Sequence, residues 1–99
     1  MHKYILSRKA AEDLSTIWDY TYEVWSESQA DRYYFMITDS CQGIADDVIA
    51  GREYAEISKG LYGTRVGQHI IFYRKAQNGR IEVIRILHSR MDLKLQLEE

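Results

Sequence analysis

A chain of 99 residues is long enough for one domain with a modest core, and its 45% apolar and 28% charged side chains are typical of a globular protein, not a disordered or fibrous one. The longest unbroken apolar run, Tyr33 to Ile37, excludes a membrane-spanning helix. The net charge of −2 conceals an asymmetry, because residues 1–50 carry four basic and nine acidic side chains, whereas residues 51–99 carry nine basic and six acidic. We therefore expect a single domain, residues 1–99, whose basic surface suits nucleic acid or an acidic protein.

The single cysteine, Cys41, cannot form a disulfide within the chain, which fits a reducing compartment. The apolar run at the N-terminus, Tyr4 to Leu6, is shorter than the core of a secretory signal peptide. We therefore expect a cytoplasmic protein. Because Cys41 falls among apolar residues at helical spacing, we expect its thiol to be a small buried apolar group and not a nucleophile.

Helical spacing dominates the first half of the chain. Residues 3–7 alternate weakly and predict a short strand, after which Ser7 can cap a helix. Apolar residues then recur at helical spacing from Ala11 to Trp25. The aromatic members of this stripe could stack on nucleic-acid bases, but the spacing favours a place in the core. They are Trp18, Tyr22 and Trp25.

A second helix is predicted directly after the first. Ser26 and Gln29 match a capping box, and a further apolar stripe runs from Ala30 to Val48. Gly51 supplies the expected stop. Because the turn between the two helices is short, they should form an antiparallel hairpin.

In the second half of the chain the apolar period changes to two, which predicts strands over 61–66, 68–75 and 80–88. Asn78-Gly79 is the strongest hairpin signal, because both positions of a type I′ turn need positive φ. Residues 89–92 can cap a short C-terminal helix. The order predicts a two-layer α+β fold: an N-terminal strand, an antiparallel helical hairpin, a three-stranded antiparallel sheet and a short C-terminal helix.

A two-residue loop at Asn78-Gly79 sets the register of the last hairpin. It places Lys75 opposite Glu82, a favourable ion pair across the strands. The further expected pairs are Tyr73–Ile84, Ile71–Ile86 and His69–His88. Directly opposed residues share a face of the sheet, so one face is apolar and is expected under the helices. It carries Ile71, Tyr73, Ile84 and Ile86.

The opposite face of the same hairpin combines large apolar groups with two guanidinium groups. It carries Ile70, Phe72, Arg74, Val83, Arg85 and Leu87. Such a face is too apolar to be left in water, so it needs a cover. Either a partner protein or the chain's own C-terminal helix can supply that cover.

Three segments resemble the RelE/ParE toxin superfamily, on its ParE side. The stretch 60–74 is similar to the ParE pattern of Gly-Leu, then Val-Gly-x-His and a hydrophobic run closing in Phe-Tyr-Arg. The stretch 84–93 is similar to the family's Ile-Leu-His-x-Arg-Met-Asp signature, and residues 6–14 are similar to its opening helix. The resemblance covers nearly the whole chain in the right order.

The resemblance implies the toxin of a type II toxin–antitoxin system, active in plasmid or chromosome maintenance and neutralised by a ParD-like antitoxin. Toxins on the ParE side act on DNA gyrase and trap its cleaved-DNA complex, whereas those on the RelE side cut messenger RNA on the ribosome. A shared fold does not decide between these activities. Three hypotheses follow: gyrase inhibition by binding, ribosome-dependent RNA cleavage, and a member that binds only its antitoxin.

The residues favour binding over catalysis. RelE-like nucleases resemble this chain around a Tyr-Arg-x-x-Tyr strand whose arginine sits on the phosphate, and alignment on Tyr73 puts Ile70 at that position. Those nucleases also use a late tyrosine, and no tyrosine follows Tyr73 here. A different nuclease set, with His88 as acid–base and arginines on the phosphate, stays as the alternative. We therefore predict a toxin without catalytic residues.

Two binding surfaces are predicted, one for the target and one for the antitoxin, with direct nucleic-acid binding left open. The basic second half of the chain is expected to bind the target through Arg65, Arg85, His88 and Arg90. The apolar and cationic sheet face is expected to bind the antitoxin through Ile70, Phe72, Arg74, Val83 and Leu87. The expected complement of that face is an acidic segment that folds on binding.

His69 and His88 are expected to face each other at one end of the sheet. Two imidazoles could begin a metal site, but a third ligand would have to come from His2. Histidines that fix the strand ends by hydrogen bonds are the favoured interpretation. We predict no metal, no cofactor and no membrane contact.

Overall fold

A computed structural model describes residues 3–97 of the chain. Within that range the elements are β1 (Tyr4–Leu6), α1 (Arg8–Val24), α2 (Glu27–Ala45), β2 (Arg52–Glu53), β3 (Tyr62–Val66), β4 (His69–Lys75), β5 (Ile81–His88) and α3 (Leu93–Leu97). The predicted α+β class, with its helical hairpin and short C-terminal helix, is confirmed. None of the helices in the described range is long and apolar enough to cross a membrane.

Serine side chains cap both long helices, as predicted. The Ser7 hydroxyl accepts a hydrogen bond from the Ala10 N–H at 3.0 Å, and the Ser26 hydroxyl accepts one from the Gln29 N–H at 3.1 Å. Each bond satisfies one of the backbone donors that the first turn of a helix leaves free.

The second helix ends earlier than Gly51, the predicted stop. Asp47 takes a left-handed conformation at φ 62°, and its N–H donates to the Ile44 carbonyl at 3.1 Å. The Val48 N–H donates to the Gly43 carbonyl at 2.9 Å. These two bonds form a Schellman motif, in which aspartate fills the position that glycine usually takes. The apolar stripe misled the prediction because it continues past this cap.

The sheet has five strands among the described residues, in the order β1-β5-β4-β3-β2, where three were predicted. The N-terminal strand β1 joins one edge and runs parallel to β5, with Tyr4 opposite Ile81. The two-residue strand β2 joins the other edge. Both pairings connect segments that are short or distant in sequence, and neither leaves a periodic pattern from which it could have been predicted.

The β4–β5 ladder follows the predicted register only in its first half. His69 lies opposite His88, and Ile71 lies opposite Ile86, as predicted. After Phe72 a β-bulge shifts the register by one residue. The pairs that follow are Tyr73–Val83, Arg74–Glu82 and Lys75–Ile81. The two predicted pairs that are wrong as a result are Lys75–Glu82 and Tyr73–Ile84.

The turn explains this shift. The Ala76 N–H donates to the Arg80 carbonyl at 2.8 Å, so the loop contains three residues, 77–79. Within that loop Gly79 alone has positive φ, at 80°. A type I′ turn needs positive φ at both of its central positions, so the predicted two-residue loop is one residue too short. A slip of one residue exchanges the faces of a strand, and the bulge limits this exchange to one half of the ladder.

The helices cover one face of the sheet and form the main core with it. The buried residues of this cluster are Ala10, Leu14, Ile17, Ile37, Cys41, Ile44, Ala45, Val66, Ile71, Tyr73, Ile81, Val83 and Ile86. The bulge turns Val83 toward the helices, where Ile84 was predicted. Burial of each large apolar side chain contributes roughly 1.5–3 kcal/mol, so this layer holds most of the fold together.

The opposite sheet face is covered by the chain itself. Its buried residues are Leu61, Ile70, Phe72 and Leu87, and the groups packed against them are Tyr54, Ile57, Ile84, Leu93 and Leu97. The covering residues come from the segment 54–61 and from α3. Of the two covers considered for this face, the C-terminal helix is the one observed.

The expectation that this face is open to an antitoxin is therefore wrong. On this face Phe72 is 0% exposed, Leu87 is 1% exposed and Ile70 is 7% exposed, whereas Val83, also 0% exposed, belongs to the main core under the helices. The Arg74 guanidinium donates to the Lys59 carbonyl at 3.0 Å and to the Ser58 hydroxyl at 2.7 Å. All five residues predicted to bind the antitoxin are thus occupied by contacts within the chain.

Candidate functional site

A groove opens beside β5 where β1 stops. The strand β1 pairs with β5 at Ile81–Val83, so within residues 3–97 no strand lies beside residues 84–88 on that side. The chain leaves the sheet at Ser7 and continues as α1, which packs against β5. A groove of about 710 Å³ lies between α1, the corner that joins the helices, and the end of β5. Tyr20, Trp25 and Met91 line its walls.

Two side chains form hydrogen bonds with main-chain groups of β5, on the part of its edge nearest to β1. The Ser7 hydroxyl donates to the Ile84 carbonyl at 2.7 Å. The Asp13 carboxylate accepts the Ile86 N–H at 3.0 Å. These contacts hold α1 against the edge, and they leave the last residues of β5 facing the groove.

Arg85 forms an ion pair inside the molecule. Its Nε lies 2.8 Å and its Nη2 lies 3.0 Å from the two carboxylate oxygens of Asp13, and both side chains are only 14% exposed. Such a two-point contact is the strongest geometry for an arginine and a carboxylate. Arg85 was predicted to bind the target, and the structure places it instead in a bond between α1 and β5.

Tyr33, His69 and His88 form a hydrogen-bonded cluster at the end of the sheet. The Tyr33 hydroxyl lies 2.7 Å from His69 Nδ1, and it accepts the Gln68 N–H at 3.0 Å. The His69 and His88 rings meet edge to face at 5.2 Å. Burial lowers the pKa of His69 to about 4, and the neighbouring His88 acts in the same direction while Asp13 opposes it. A neutral His69 can accept a hydrogen bond from the Tyr33 hydroxyl, so the cluster fixes the strand ends as predicted.

Three of the four predicted target-binding residues lie at this same end of the sheet. Arg65 precedes the β3–β4 turn, and His88 and Arg90 lie at and just after the end of β5. The Arg65 Nε–H donates to the Gly67 carbonyl at 3.0 Å, and the Arg90 N–H donates to His88 Nδ1 at 3.1 Å. Neither guanidinium forms an ion pair with a carboxylate between residues 3 and 97. We call Arg65, His88 and Arg90, together with the neutral His69 beside His88, the cationic sheet end.

Comparison with known proteins identifies the chain. A family model described as the ParE toxin of the type II toxin–antitoxin system parDE matches residues 4–93. The chain belongs to the ParE toxin family. Toxin ParE1 of Mycobacterium tuberculosis strain H37Rv is 37% identical over 91 residues, which cover 92% of this chain and 93% of the relative. Toxin ParE1 of Caulobacter vibrioides is 33% identical over 97 residues, which cover 98% of this chain and 99% of the relative.

A solved structure has the same fold. It is described as the chromosomal ParDE TA system from P. aeruginosa, and it matches with a TM-score of 0.73 at 22% identity. The match covers 89% of this chain and 96% of that one. The resemblance found in the sequence motifs is therefore confirmed for both family and fold.

The second half of α1 in this ParE-family chain is not the core stripe that was predicted. Tyr22 is 50% exposed and Trp25 is 70% exposed. Trp18 is partly buried, and it stacks on Tyr22 with ring centroids 5.2 Å apart. Trp25 faces the groove, whereas Trp18 lies in a separate cleft beside α2, where its Nε1–H donates to the Asp31 carboxylate at 3.0 Å.

Two residues that shape this site, Tyr33 and Asp13, were not predicted from the sequence. Tyr33 was placed on the apolar stripe of the second helix, and Asp13 was not singled out. Gly67 gave one indication of the Tyr33 contact. It has φ 59°, and a Cβ on it would lie 2.7 Å from the Tyr33 hydroxyl, so only glycine fits there.

The remaining expectations concern metal ligands and the thiol. Within residues 3–97, no three His, Cys, Asp or Glu side chains lie together in a way that could hold a metal ion. His2, the expected third ligand, lies outside the described residues. Cys41 is 1% exposed, and burial raises its pKa to about 12, so the thiol is the buried apolar group that was predicted.

Proposed function

We propose that this ParE-family toxin acts by binding, that DNA gyrase in the cytoplasm is its target, and that a ParD-like antitoxin neutralises it. The observation that carries the proposal is the cationic sheet end. There, Arg65 and Arg90 present guanidinium groups without a carboxylate partner in the described chain, beside the histidine pair. Guanidinium groups of this kind suit the phosphates or carboxylates of a partner.

The arginine geometry separates candidate contacts from structural ones. Arg85 is bonded to Asp13, and Arg74 is bonded to the segment that covers the second sheet face, so neither is free to bind a target. Arg65 is exposed, as is Arg90 at the rim of the groove. The proposed target contact therefore contains fewer residues than the four predicted from the sequence. It consists of Arg65, Arg90 and His88.

Ribosome-dependent RNA cleavage by His88, with arginines on the phosphate, is the alternative, and Arg85 is withdrawn from that set because it is bound to Asp13. Ile70, which stands where RelE-like nucleases carry an arginine, is buried under the chain's own cover. Asp13, a carboxylate that lines the groove, is already engaged by Arg85 and the Ile86 N–H. A base must reach the proton that it removes, and Asp13 is not free to do so.

The first experiment compares the three hypotheses directly. Purified toxin is added to a gyrase supercoiling assay and, separately, to a ribosome-bound mRNA cleavage assay. We expect loss of supercoiling with accumulation of cleaved DNA, and no mRNA cleavage. Cleavage that disappears in His88→Ala would assign the protein to the nucleases. Activity in neither assay, together with antitoxin binding, would leave a member that binds only its antitoxin.

A charge reversal tests the cationic sheet end. We expect Arg90→Glu to weaken gyrase inhibition by about tenfold or more, because a carboxylate would repel the acidic groups that the guanidinium binds. Arg80→Glu is the matched control, since Arg80 is also exposed but lies directly after the hairpin loop, at the other end of β5. Circular dichroism should show both variants folded. Equal inhibition by the two folded variants would remove this surface from the proposal.

A further inference from the structure

A second cleft, between α1 and α2, lies outside the proposed target contact. We call it the hairpin cleft, and its walls include Trp18, Asp31, Tyr34 and Phe35. We infer that the hairpin cleft binds a basic segment of gyrase that carries a large apolar side chain, and that it forms a second contact with the target. This inference rests on the proposed function in naming gyrase as the partner.

The hairpin cleft and the groove beside β5 lie on opposite sides of α1. The groove is lined by residues 13, 16, 17 and 20 of this helix, whereas the cleft is lined by residues 11, 14, 15 and 18. Successive residues of a helix are rotated by about 100°, so the two sets point in nearly opposite directions. The cleft is therefore a separate surface from the groove.

The walls of the hairpin cleft are aromatic and are held in place by one another. Phe35 is 60% exposed and Tyr34 is 37% exposed, and their rings meet edge to face with centroids 5.5 Å apart. Trp18 stacks on Tyr22 and donates its Nε1–H to Asp31. The cleft has a volume of about 560 Å³, enough for a large apolar side chain. Aromatic walls that are already ordered lose little conformational entropy on binding, so they are suited to carry its energy.

Charge complementarity favours a basic occupant. The helices α1 and α2 together carry seven acidic and three basic side chains. Among the described residues that line the cleft, Asp31 is the only charged one. One of its oxygens accepts the Trp18 Nε1–H, and the other forms no hydrogen bond or ion pair with residues 3–97. A lysine or arginine of the occupant would meet this carboxylate and the faces of the aromatic rings.

The same charges oppose a second copy of the chain in the cleft. A two-fold symmetric contact would bring two Asp31 carboxylates and two acidic hairpins together, and such like-charge contacts are unfavourable. An enzyme that holds DNA, in contrast, presents a basic surface to the phosphates. Gyrase therefore offers the charge that the cleft lacks.

The shape of the toxin allows both contacts with one target. The molecule extends over 39 × 34 × 21 Å, so a larger partner can reach the hairpin cleft and the cationic sheet end together. The acidic first half of the chain would then face the basic protein surface, and the basic second half would face acidic groups of the same target. The charge asymmetry of the sequence thus gains a role in orienting the toxin.

The test measures the affinity of toxin variants for purified gyrase without DNA, by biolayer interferometry. Phe35→Lys removes an aromatic wall and adds a charge that repels a basic occupant. Leu95→Lys is the matched control, because Leu95 also lies on a helix and is 61% exposed. We expect affinity to fall about tenfold or more for Phe35→Lys and by less than about twofold for Leu95→Lys.

A second pair of variants tests the charge without changing the shape. Asp31→Asn keeps an oxygen that accepts the Trp18 Nε1–H but removes the negative charge. Glu82→Gln is its control, because Glu82 is an exposed carboxylate on β5. We expect Asp31→Asn to weaken binding by about threefold or more and to reduce its dependence on salt, whereas Glu82→Gln should behave as the wild type. Thermal unfolding should show that all four variants are folded.

Several outcomes would overturn the inference. One is equal gyrase affinity for Phe35→Lys and Leu95→Lys, and another is an unchanged salt dependence in Asp31→Asn. A wild-type dimer in analytical ultracentrifugation that dissociates in Phe35→Lys would assign the cleft to a second copy. Loss of antitoxin binding in Phe35→Lys, with unchanged affinity for gyrase, would assign it to the antitoxin.

The supercoiling assay separates this inference from the proposed function. If the wild type neither binds nor inhibits gyrase, both are wrong. If the wild type and Phe35→Lys bind and inhibit gyrase equally, the target stands and the inference about the cleft is wrong. If the wild type binds gyrase through Phe35 without inhibiting it, the cleft stands and the proposed inhibition is wrong.

Discussion

Single residues at the open edge of β5 take the place of a missing strand. The Asp13 carboxylate binds the Arg85 guanidinium and the Ile86 N–H, and the Ser7 hydroxyl binds the Ile84 carbonyl. A strand edge leaves such groups unpaired, and buried polar groups without partners are costly. These side chains therefore stabilise the fold while the edge beyond them stays open.

We predict that Asp13→Ala lowers the free energy of unfolding by about 3 kcal/mol, because it removes the carboxylate that pairs with the mostly buried Arg85 and accepts the Ile86 N–H. The matched control is Glu12→Ala, which removes the exposed ion pair with Arg8 at 3.6 Å and should cost less than about 1 kcal/mol. Urea denaturation of both variants measures the difference. Equal losses would mean that the Asp13–Arg85 pair adds no more than a surface contact.

The Asp13 pair also changes the design of charge-reversal experiments. Arg85→Glu would place two carboxylates together in a mostly buried site, so its loss of toxicity would report unfolding. Arg90 carries no such bond and is the better choice.

At the scale of elements, α3 completes a second core. It contributes Leu93 and Leu97 to the cluster around Phe72 and Leu87, and the Gln96 carbonyl lies 3.4 Å from Arg85 Nη1. A helix of five residues is not stable alone in water, so packing must hold it in place. The hydrogen bond from Arg85 to the Gln96 carbonyl and the packing of Leu93 and Leu97 together hold α3 in its position.

We predict that Leu93→Ala destabilises the protein by about 1–2 kcal/mol, because Leu93 is partly buried against the second cluster. Leu95→Ala on the same helix is the control, since Leu95 is 61% exposed and should change stability by less than about 0.5 kcal/mol. Thermal or urea unfolding compares the two. A similar small effect for both would show that α3 does not cover this face in solution.

At the scale of the whole molecule, folding keeps one histidine neutral. Its pKa of about 4 in the folded state lies below the ordinary value of about 6.5, because the sheet end buries His69 beside His88. The unfolded chain therefore binds more protons between these values. Stability from this group is fully present above pH 6.5 and is lost as the pH falls toward 4.

We predict that the free energy of unfolding falls between pH 6.5 and 4 by about 1–2 kcal/mol on account of His69, a figure reduced because the ring is only partly buried. His69→Asn keeps an acceptor for the Tyr33 hydroxyl but cannot titrate, so its unfolding should depend less on pH over this range. Chemical denaturation at several pH values gives both slopes. Parallel slopes for wild type and variant would show that another group causes the decline.

The sequence by itself determined the elements and their class. Ser7 and Ser26 predicted the helix starts, because the capping interaction is local. The period-two pattern predicted β3, β4 and β5, and the motifs in 60–74 and 84–93 indicated the family. Charge counting indicated the basic half of the chain that contains Arg65 and Arg90, but only the structure showed that Arg85 of the same half is paired with Asp13.

Only the tertiary structure decided which surfaces are open. Whether Phe72 is exposed depends on where residues 54–61 and 93–97 pack, and that packing is non-local. The same holds for Trp25, which is exposed because β1 ends before the end of β5. Apolar periodicity shows which side chains share a face of a helix or strand, but it does not show what lies opposite that face. Whether a groove forms depends on which element packs against each face of α1 and each edge of β5, and only the tertiary structure determines this packing.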